Sequence, residues 1–358
     1  MKILLSGGGT LGPVTPLLAM VEIFRTKYPE AEFLWVATEK GPEIEIVSTY
    51  KIKTVVIASG KLRRYLSLWN IFDLIKIAIG FFQSLRLLWC FNPEVVISAG
   101  AFVSVPLHYA AWWMGIPTWI HQQDAQIGLA NRLMSPIAKR ITVALEETGY
   151  HFARRKTRWL GNPVRQDLFL GNFVSARLKF NLTTNLPVVF VTGGGTGSLR
   201  VNQLVVEALP HLDGFCEIIH LSGRERPQEL TDHANQHFSW YHAYQFFTTE
   251  MKDAYAVADI IISRAGFGTM SEIAALGKPA IFIPKPGHQE QNARSLEHEN
   301  AALVLHEKTT TGLSLAKAVR TLIENKSAAA QMGVTFQKIL PPARPADILQ
   351  ILNECLDS

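Results

Sequence analysis

The chain has 358 residues, of which 48% are hydrophobic and only 18% charged, with a formal net charge of +5. That length favours two domains over one core. A basic, apolar-rich chain points to phosphorylated substrates or an anionic membrane surface, and not to nucleic acid, since no dense Lys/Arg run or nucleic-acid motif is present. Cys90, Cys216 and Cys355 are scattered without a C-x-x-C pair, so neither structural zinc nor a disulfide framework is indicated and a reducing cytosol fits.

The first element is an apolar strand, Ile3-Leu4-Leu5, running into Gly7-Gly8-Gly9-Thr10-Leu11-Gly12-Pro13 and then a helix. Gly7, Gly9 and Gly12 satisfy G-x-G-x-x-G on a strand-to-helix turn. There glycine lets the backbone approach a phosphate, and the helix start offers unpaired N–H groups. Taken literally, the loop holds a dinucleotide, with Glu39 after the second strand on its ribose. A turn that needs glycine only for packing has the same spelling. Further strands are expected near 33–38, 54–57, 95–98, 118–121 and 141–144.

Residues 68–90, "LWNIFDLIKIAIGFFQSLRLLWC", read as a helix whose Leu68, Phe72, Ile75, Ile79, Phe82 and Trp89 share one stripe. Asp73, Lys76 and Arg86 would each cost about 2.5–3.5 kcal/mol at a bilayer centre, which argues against a span. One side is expected to pack on the sheet. The other, with Ile75, Ile79 and Phe82, faces either lipid or core. Lys61, Arg63 and Arg64 precede it, each able to gain about 1 kcal/mol at an anionic surface, and Trp112 and Trp113 can join the patch. Residues 95–120 are uncharged, but Gly100, Pro106, Gly115 and Pro117 divide them into a buried α/β unit.

The second half echoes the first. "VVFVTGGGTGSLRVNQ" (188–203) repeats the apolar strand, the Gly-Gly-Gly-Thr loop and the helix. Strands are expected near 217–221, 242–246, 259–262, 280–283 and 302–305. Alternation with helices implies two doubly wound parallel sheets, ligands binding at the carboxyl ends of their strands, where the domains should face a cleft. The expected boundaries are 1–162, 163–340 and 341–358, the last a helix after "PPARP" that returns to the first domain.

The order of "GGGTLGPVTP", "HQQD" (121–124), "GNPVR" (161–165), "GGGTGSLRVNQ" (193–203), "RAGFGTMSEIAALGKPAIFIP" (264–284) and "HQEQNA" (288–293) is the most specific signal. It resembles the MurG family of N-acetylglucosaminyltransferases across nearly the whole chain. The resemblance implies a GT-B α/β fold of two Rossmann-like domains and inverting transfer of N-acetylglucosamine from UDP-N-acetylglucosamine. The acceptor is the C4 hydroxyl of a polyprenyl-linked muramyl-pentapeptide at the cytoplasmic face of the membrane, where the protein docks peripherally. It implies no cofactor, the nucleotide-sugar being a substrate, and no D-x-D cluster is present for a metal.

By the same resemblance Glu272 takes the ribose hydroxyls, Phe247 covers the uracil and the Thr248 backbone reads its edge. A helix-start acid and a core phenylalanine are the structural alternatives. Gly194, Gly195, Thr196 and Gly197 face the diphosphate, with Gly195 where the family usually has serine. Arg165 faces the nucleotide-sugar unless it is a surface hinge residue. Phe267, Gly268, Thr269, Met270 and Ser271 line the donor, Gln289 and Asn292 its sugar, and Thr10, Leu11, Gly12 and Asp124 approach it from the first domain. Gly8, Gly9, Thr10, Gly12, Gly100 and Ser104 are implied for the acceptor diphosphate.

Two departures touch the acceptor side. Pro13 stands where the family commonly has a histidine proposed as base, and it suits a first helical position. "HQQD" replaces H-E-Q-N, leaving Asp124 and His121 as candidates for the proton-taking group, His121 being equally suited to a buried structural place. A related transferase acting on diacylglycerol, an impaired sugar-nucleotide-binding scaffold and an NAD-dependent oxidoreductase are the rival readings.

Overall fold

Side chains of the first strand, β1 (Lys2–Ser6), alternate between two apolar layers. Leu4 joins Val36, Leu88, Val96 and Leu107 on one face. Ile3 and Leu5 join Leu17, Phe24, Trp119 and, from the last helix, Ile348 and Leu352 on the other. The structure, a computed structural model, describes residues 1–39, 41, 43–60, 69–194, 197–247 and 249–357. Lys61, Arg63, Arg64, Leu68, Gly195, Thr196 and Thr248 lie outside the described residues.

The chain divides into two compact units, Met1–Arg165 with Pro342–Ser358, and Gln166–Pro341. In the first, β1 pairs with β2 (Glu32–Ala37) and β4 (Val95–Ser98). β3 (Lys53–Val56) adds beyond β2, and β5 (Thr118–Gln122), β6 (Arg140–Val143) and β7 (Thr157–Trp159) extend the sheet beyond β4. The order β3-β2-β1-β4-β5-β6-β7 is all parallel, with Leu5 opposite both Trp35 and Ile97. The sequence pattern does not predict β7. It is three residues long, with Arg158 and Trp159 exposed at the sheet edge, so it carries no apolar run.

The second unit contains β8 (Val188–Thr192), β9 (Glu217–Leu221), β10 (Tyr241–Tyr244), β11 (Ile260–Ser263), β12 (Ala280–Phe282) and β13 (Leu303–Val304). Its order, β10-β9-β8-β11-β12-β13, repeats the doubly wound plan. Chain direction reverses its spread at β1/β4 in one sheet and at β8/β11 in the other, so both glycine loops emerge at a switch point.

The tail belongs to the first unit. Ala343 N donates to Asn162 O at 2.9 Å, and Arg140 Nε donates to Glu354 Oε2 at 2.8 Å. Ile348, Ile351, Leu352 and Cys355 complete the core beside Leu17 and Phe24. Burial pushes the Cys355 thiol up to about 12, and that of Cys216 likewise.

Candidate functional site

In the second unit the loop after β8 turns on glycines for steric reasons. A Cβ at Gly193 would lie 2.4 Å from Ser198 N, and one at Gly197 2.4 Å from Ser222 O. Gly194 and Gly197 have φ of +82° and +73°, the left-handed region that glycine enters freely. Ser198 then caps the helix Leu199–Ala208, its Oγ accepting from Val201 N at 3.3 Å.

Arg264, immediately after β11, ties this turn to Gln289 and Glu307. Its Nη1 donates to Ser198 Oγ and, at 3.2 Å, to Glu307 Oε1, while Nε donates to Gln289 Oε1 at 3.2 Å. Its Nη2 is buried and has no partner among the described residues. Arg264 opens the RAGFGT motif, and the motif alone assigns it no role. A cation directly after a buried strand, at a switch point and before a glycine, was the available signal. Gln289, first turn of the helix His288–His298, also accepts from Lys285 N at 2.9 Å. Asn292 Nδ2 donates to Ala265 O, which fixes the same helix against the loop.

The helix Phe267–Ala275 begins at Gly266 with no side-chain cap, leaving N–H groups and the positive dipole end open. Its residues divide by face. Gly268, Thr269 and Glu272 are partly exposed. Phe267, Met270 and Ser271 turn into the core, and Ser271 Oγ donates to Phe267 O at 2.8 Å, so these three are supports of the helix. Glu272 Oε2 accepts from the buried Tyr255 hydroxyl at 2.9 Å, which fixes the carboxylate's direction.

Phe247 takes the structural alternative. It is 5% exposed and packs against Phe180, Phe190 and Tyr244 at centroid distances of 5.4, 6.4 and 5.1 Å. Its neighbour Phe246 is the exposed ring, with the Arg224 guanidinium 3.9 Å from its centroid. Arg165 ends the first unit, adjoining Gln166 at the start of the second.

In the first unit, the glycines of the loop after β1 are also explained by packing. A Cβ at Gly7 would meet Pro13 O at 2.8 Å, and one at Gly8 would meet Glu43 Oε1 at 2.1 Å. Gly9 has φ +78°, and its N–H is already donated to Glu43 Oε2 at 3.1 Å. Pro13 is not the first helical residue. It lies in the turn before the helix Thr15–Lys27, whose first-turn proline is Pro16, and Leu11 O accepts from Val14 and Thr15 N.

The segment 121–124 separates into distinct roles. His121 is fully buried, with Nδ1 2.9 Å from Thr142 Oγ1 and Nε2 2.8 Å from Asn162 Oδ1. Burial lowers its pKa to about 4, against the Asn162 hydrogen bond that raises it. Both ring nitrogens are engaged in joining β5, β6 and the Asn162 turn, which is the structural place and not that of an accessible base. Gln122 braces the following loop, donating to Asp124 O at 2.8 Å and accepting from Asn131 Nδ2 at 2.8 Å. Asp124 is partly exposed beyond the strand end.

After β4, Gly100 and Ala101 have φ of +98° and +100°. Ala101 carries a Cβ in that region, a strained backbone at the switch point. Ser104 is buried, and its hydroxyl lies 3.0 Å from Ser6 Oγ and 3.1 Å from Gly100 O, so it supports the loop from within.

The helix Trp69–Phe91 packs one side on the sheet through Ser84 and Leu88. Ile75, Ile79 and Phe82 on the other side are 53%, 47% and 68% exposed, and Trp89, Trp112 and Trp113 are exposed as well. Among the described residues no helix is long and apolar enough to cross a membrane. Among them also, no group of three or more His, Cys, Asp or Glu is placed to hold a metal ion.

Sequence comparison places these features among known proteins. The glycosyltransferase family 28 N-terminal domain matches residues 3–143, and the family's C-terminal domain matches residues 188–340. The UDP-N-acetylglucosamine–N-acetylmuramyl-(pentapeptide) pyrophosphoryl-undecaprenol N-acetylglucosamine transferase of Lachnoclostridium phytofermentans is 36% identical over 330 residues, 91% of each chain. Proteins of the same name from Listeria monocytogenes serotype 4a and Desulforamulus reducens are 33% and 32% identical, over 98% and 99% of each chain.

Among solved structures, Acinetobacter baumannii MurG matches with a TM-score of 0.76 at 24% identity, covering 100% of this chain and 99% of its own. UDP-GlcNAc 2-epimerase from Neisseria meningitidis, bound to UDP-GlcNAc, matches at 0.70 and 15% identity, covering 99% and 100%. These likenesses identify the two doubly wound units as those of a GT-B fold. With both family domains in order and full-length relatives above 30% identity, the chain belongs to glycosyltransferase family 28, in the MurG group of N-acetylglucosamine transferases.

Proposed function

We propose that the protein transfers N-acetylglucosamine from UDP-N-acetylglucosamine to the C4 hydroxyl of a polyprenyl-pyrophosphate-linked N-acetylmuramyl-pentapeptide, inverting the anomeric centre. One observation carries the proposal. The second glycine loop, Arg264, Gln289 and the Glu272 helix gather at the carboxyl end of one sheet, in a chain 36% identical to a transferase named for that reaction.

Each group has a task that suits its chemistry. The N–H groups at Ser198 and Gly266, with the Arg264 guanidinium, favour the diphosphate and the charge that grows on it as it leaves. Glu272, steadied by Tyr255, accepts from the ribose hydroxyls. Gln289 donates to the sugar, because its oxygen already serves Arg264 and Lys285. Asp124 takes the C4 proton, the role left open by Pro13 and by the engaged ring of His121.

The exposed stripe of Ile75, Ile79, Phe82 and Trp89 docks peripherally on the anionic cytoplasmic face of the membrane, where a polyprenyl acceptor resides. A diacylglycerol acceptor is not favoured, since the relatives are named for the muramyl lipid. Acceptor-dependent UDP release tests the proposal. Release that requires the muramyl lipid supports it, and release indifferent to that lipid contradicts it.

A further inference from the structure

A buried acidic side chain sits beneath the first glycine loop, and no step of the reaction above uses it. Glu43 opens the helix Glu43–Thr49 and is 0% exposed. Its Oε2 accepts the Gly9 N–H at 3.1 Å. Its Oε1 accepts the Thr38 N–H at 2.7 Å and the Thr38 hydroxyl at 2.5 Å. Two glycines make room for it, since a Cβ at Gly8 or Gly41 would lie 2.1 Å from Oε1 or 1.8 Å from Oε2. The loop is thus built around this carboxyl group.

The consequence for an anion is specific. Gly9 N–H is consumed inside the protein, whereas the N–H groups of Thr10, Leu11 and Gly12 make no hydrogen bond among the described residues. Beside them stands Gln123, 3% exposed, whose Oε1 has no partner among the described residues and whose Nε2 lies 3.3 Å from where a Gly12 Cβ would be. The Nε2 group is the donor that suits an anion, whereas the oxygen calls for a donor such as a sugar hydroxyl or a water.

We propose that Glu43 is a positioning residue for the acceptor. It latches the loop through Gly9, so that the stretch from Thr10 to Gly12, with Gln123 behind it, meets the diphosphate of the lipid-linked substrate. The proposal rests on the transferase reading above and divides the loop into an inward half and a ligand-facing half.

Kinetics of Glu43→Gln and Gly8→Ala test it. Glutamine turns an amide NH₂ toward one of the N–H donors, and the alanine methyl collides with Oε1. The KM for the lipid-linked muramyl-peptide should rise about tenfold or more in each. The KM for UDP-N-acetylglucosamine and the calorimetric affinity for UDP should stay unchanged. Adding Glu43→Ala to Gly8→Ala should raise the acceptor KM no further than Gly8→Ala alone, since both changes undo the same latch. An unchanged acceptor KM in folded Glu43→Gln, or equal rises for both substrates, overturns the proposal. If the wild type transfers nothing to this acceptor, the transferase reading falls, and hydrogen exchange at the Gly9 amide decides the latch. Exchange slow in the wild type and fast in Glu43→Gln supports it, and equal rates overturn it.

Discussion

Arg264 Nε donates to Gln289 Oε1 at 3.2 Å, and Lys285 N donates to the same oxygen at 2.9 Å. With its oxygen occupied twice, Gln289 offers a ligand its Nε2, which lies 3.9 Å from where a Gly266 Cβ would be. Gln289→Ala should therefore weaken UDP-N-acetylglucosamine binding while leaving UDP binding little changed. Arg264→Met should weaken both, by about 1.5–3 kcal/mol for a charge-assisted bond, because it also releases Ser198 Oγ. Calorimetry with the two ligands separates these effects. Equal losses of both ligands in Gln289→Ala would count against the sugar-side role.

Acid should destabilise the fold through buried histidines. Burial lowers His121 to about 4, and His108 and His220 to about 3. In the unfolded chain each titrates near 6.5. Above about pH 6.5 both states are neutral and these groups give no pH dependence. As pH falls below that, the unfolded state binds protons that the folded state refuses. Stability then drops by about 1.4 kcal/mol per pH unit for each histidine, until the folded pKa is reached. Urea unfolding across this window should show a shallower slope for His121→Gln than for the wild type. Identical slopes would contradict the assignment.

Burial and pairing are what the sequence conceals in these cases. The strands β8, β11 and β12 are legible as short apolar runs because parallel strands are covered on both faces. β7 is not, since Thr157-Arg158-Trp159 has an exposed edge. Both glycine loops are visible in the sequence, yet not the reason for each glycine. Gly8 is required by Glu43, thirty-odd positions away and adjacent only in space. His121 and Phe247 sit in recognisable motifs, but a motif does not reveal that Thr142 and Asn162, or three aromatic rings, surround them.

The exposed helix face makes a clean prediction, since Ile75, Ile79 and Phe82 contribute little to the core. Replacing all three with serine should reduce binding to vesicles containing anionic phospholipid. Thermal stability should change little, surface substitutions usually costing within about 0.5 kcal/mol each. Vesicle sedimentation with a parallel melting curve checks both halves. Undiminished binding by the folded variant would refute the docking role.

Asp124→Asn should lower turnover by about 10²–10⁴-fold, the usual range for loss of a general base, with UDP affinity retained. Pro13→His should restore part of that turnover, because the turn before the helix asks no N–H of this position. Single-turnover rates measure the chemical step directly. A wild-type rate in Asp124→Asn would remove this residue from the mechanism and direct attention to the loop around Gln123.

The most direct test of the central claim is product analysis with UDP-N-acetylglucosamine offered a muramyl-pentapeptide lipid and diacylglycerol in parallel. The account predicts a β-1,4-linked disaccharide on the muramyl lipid, one UDP released per bond formed, and no glycosylated diacylglycerol. Glycosylated diacylglycerol with an untouched muramyl lipid, or no transfer to either, would contradict it.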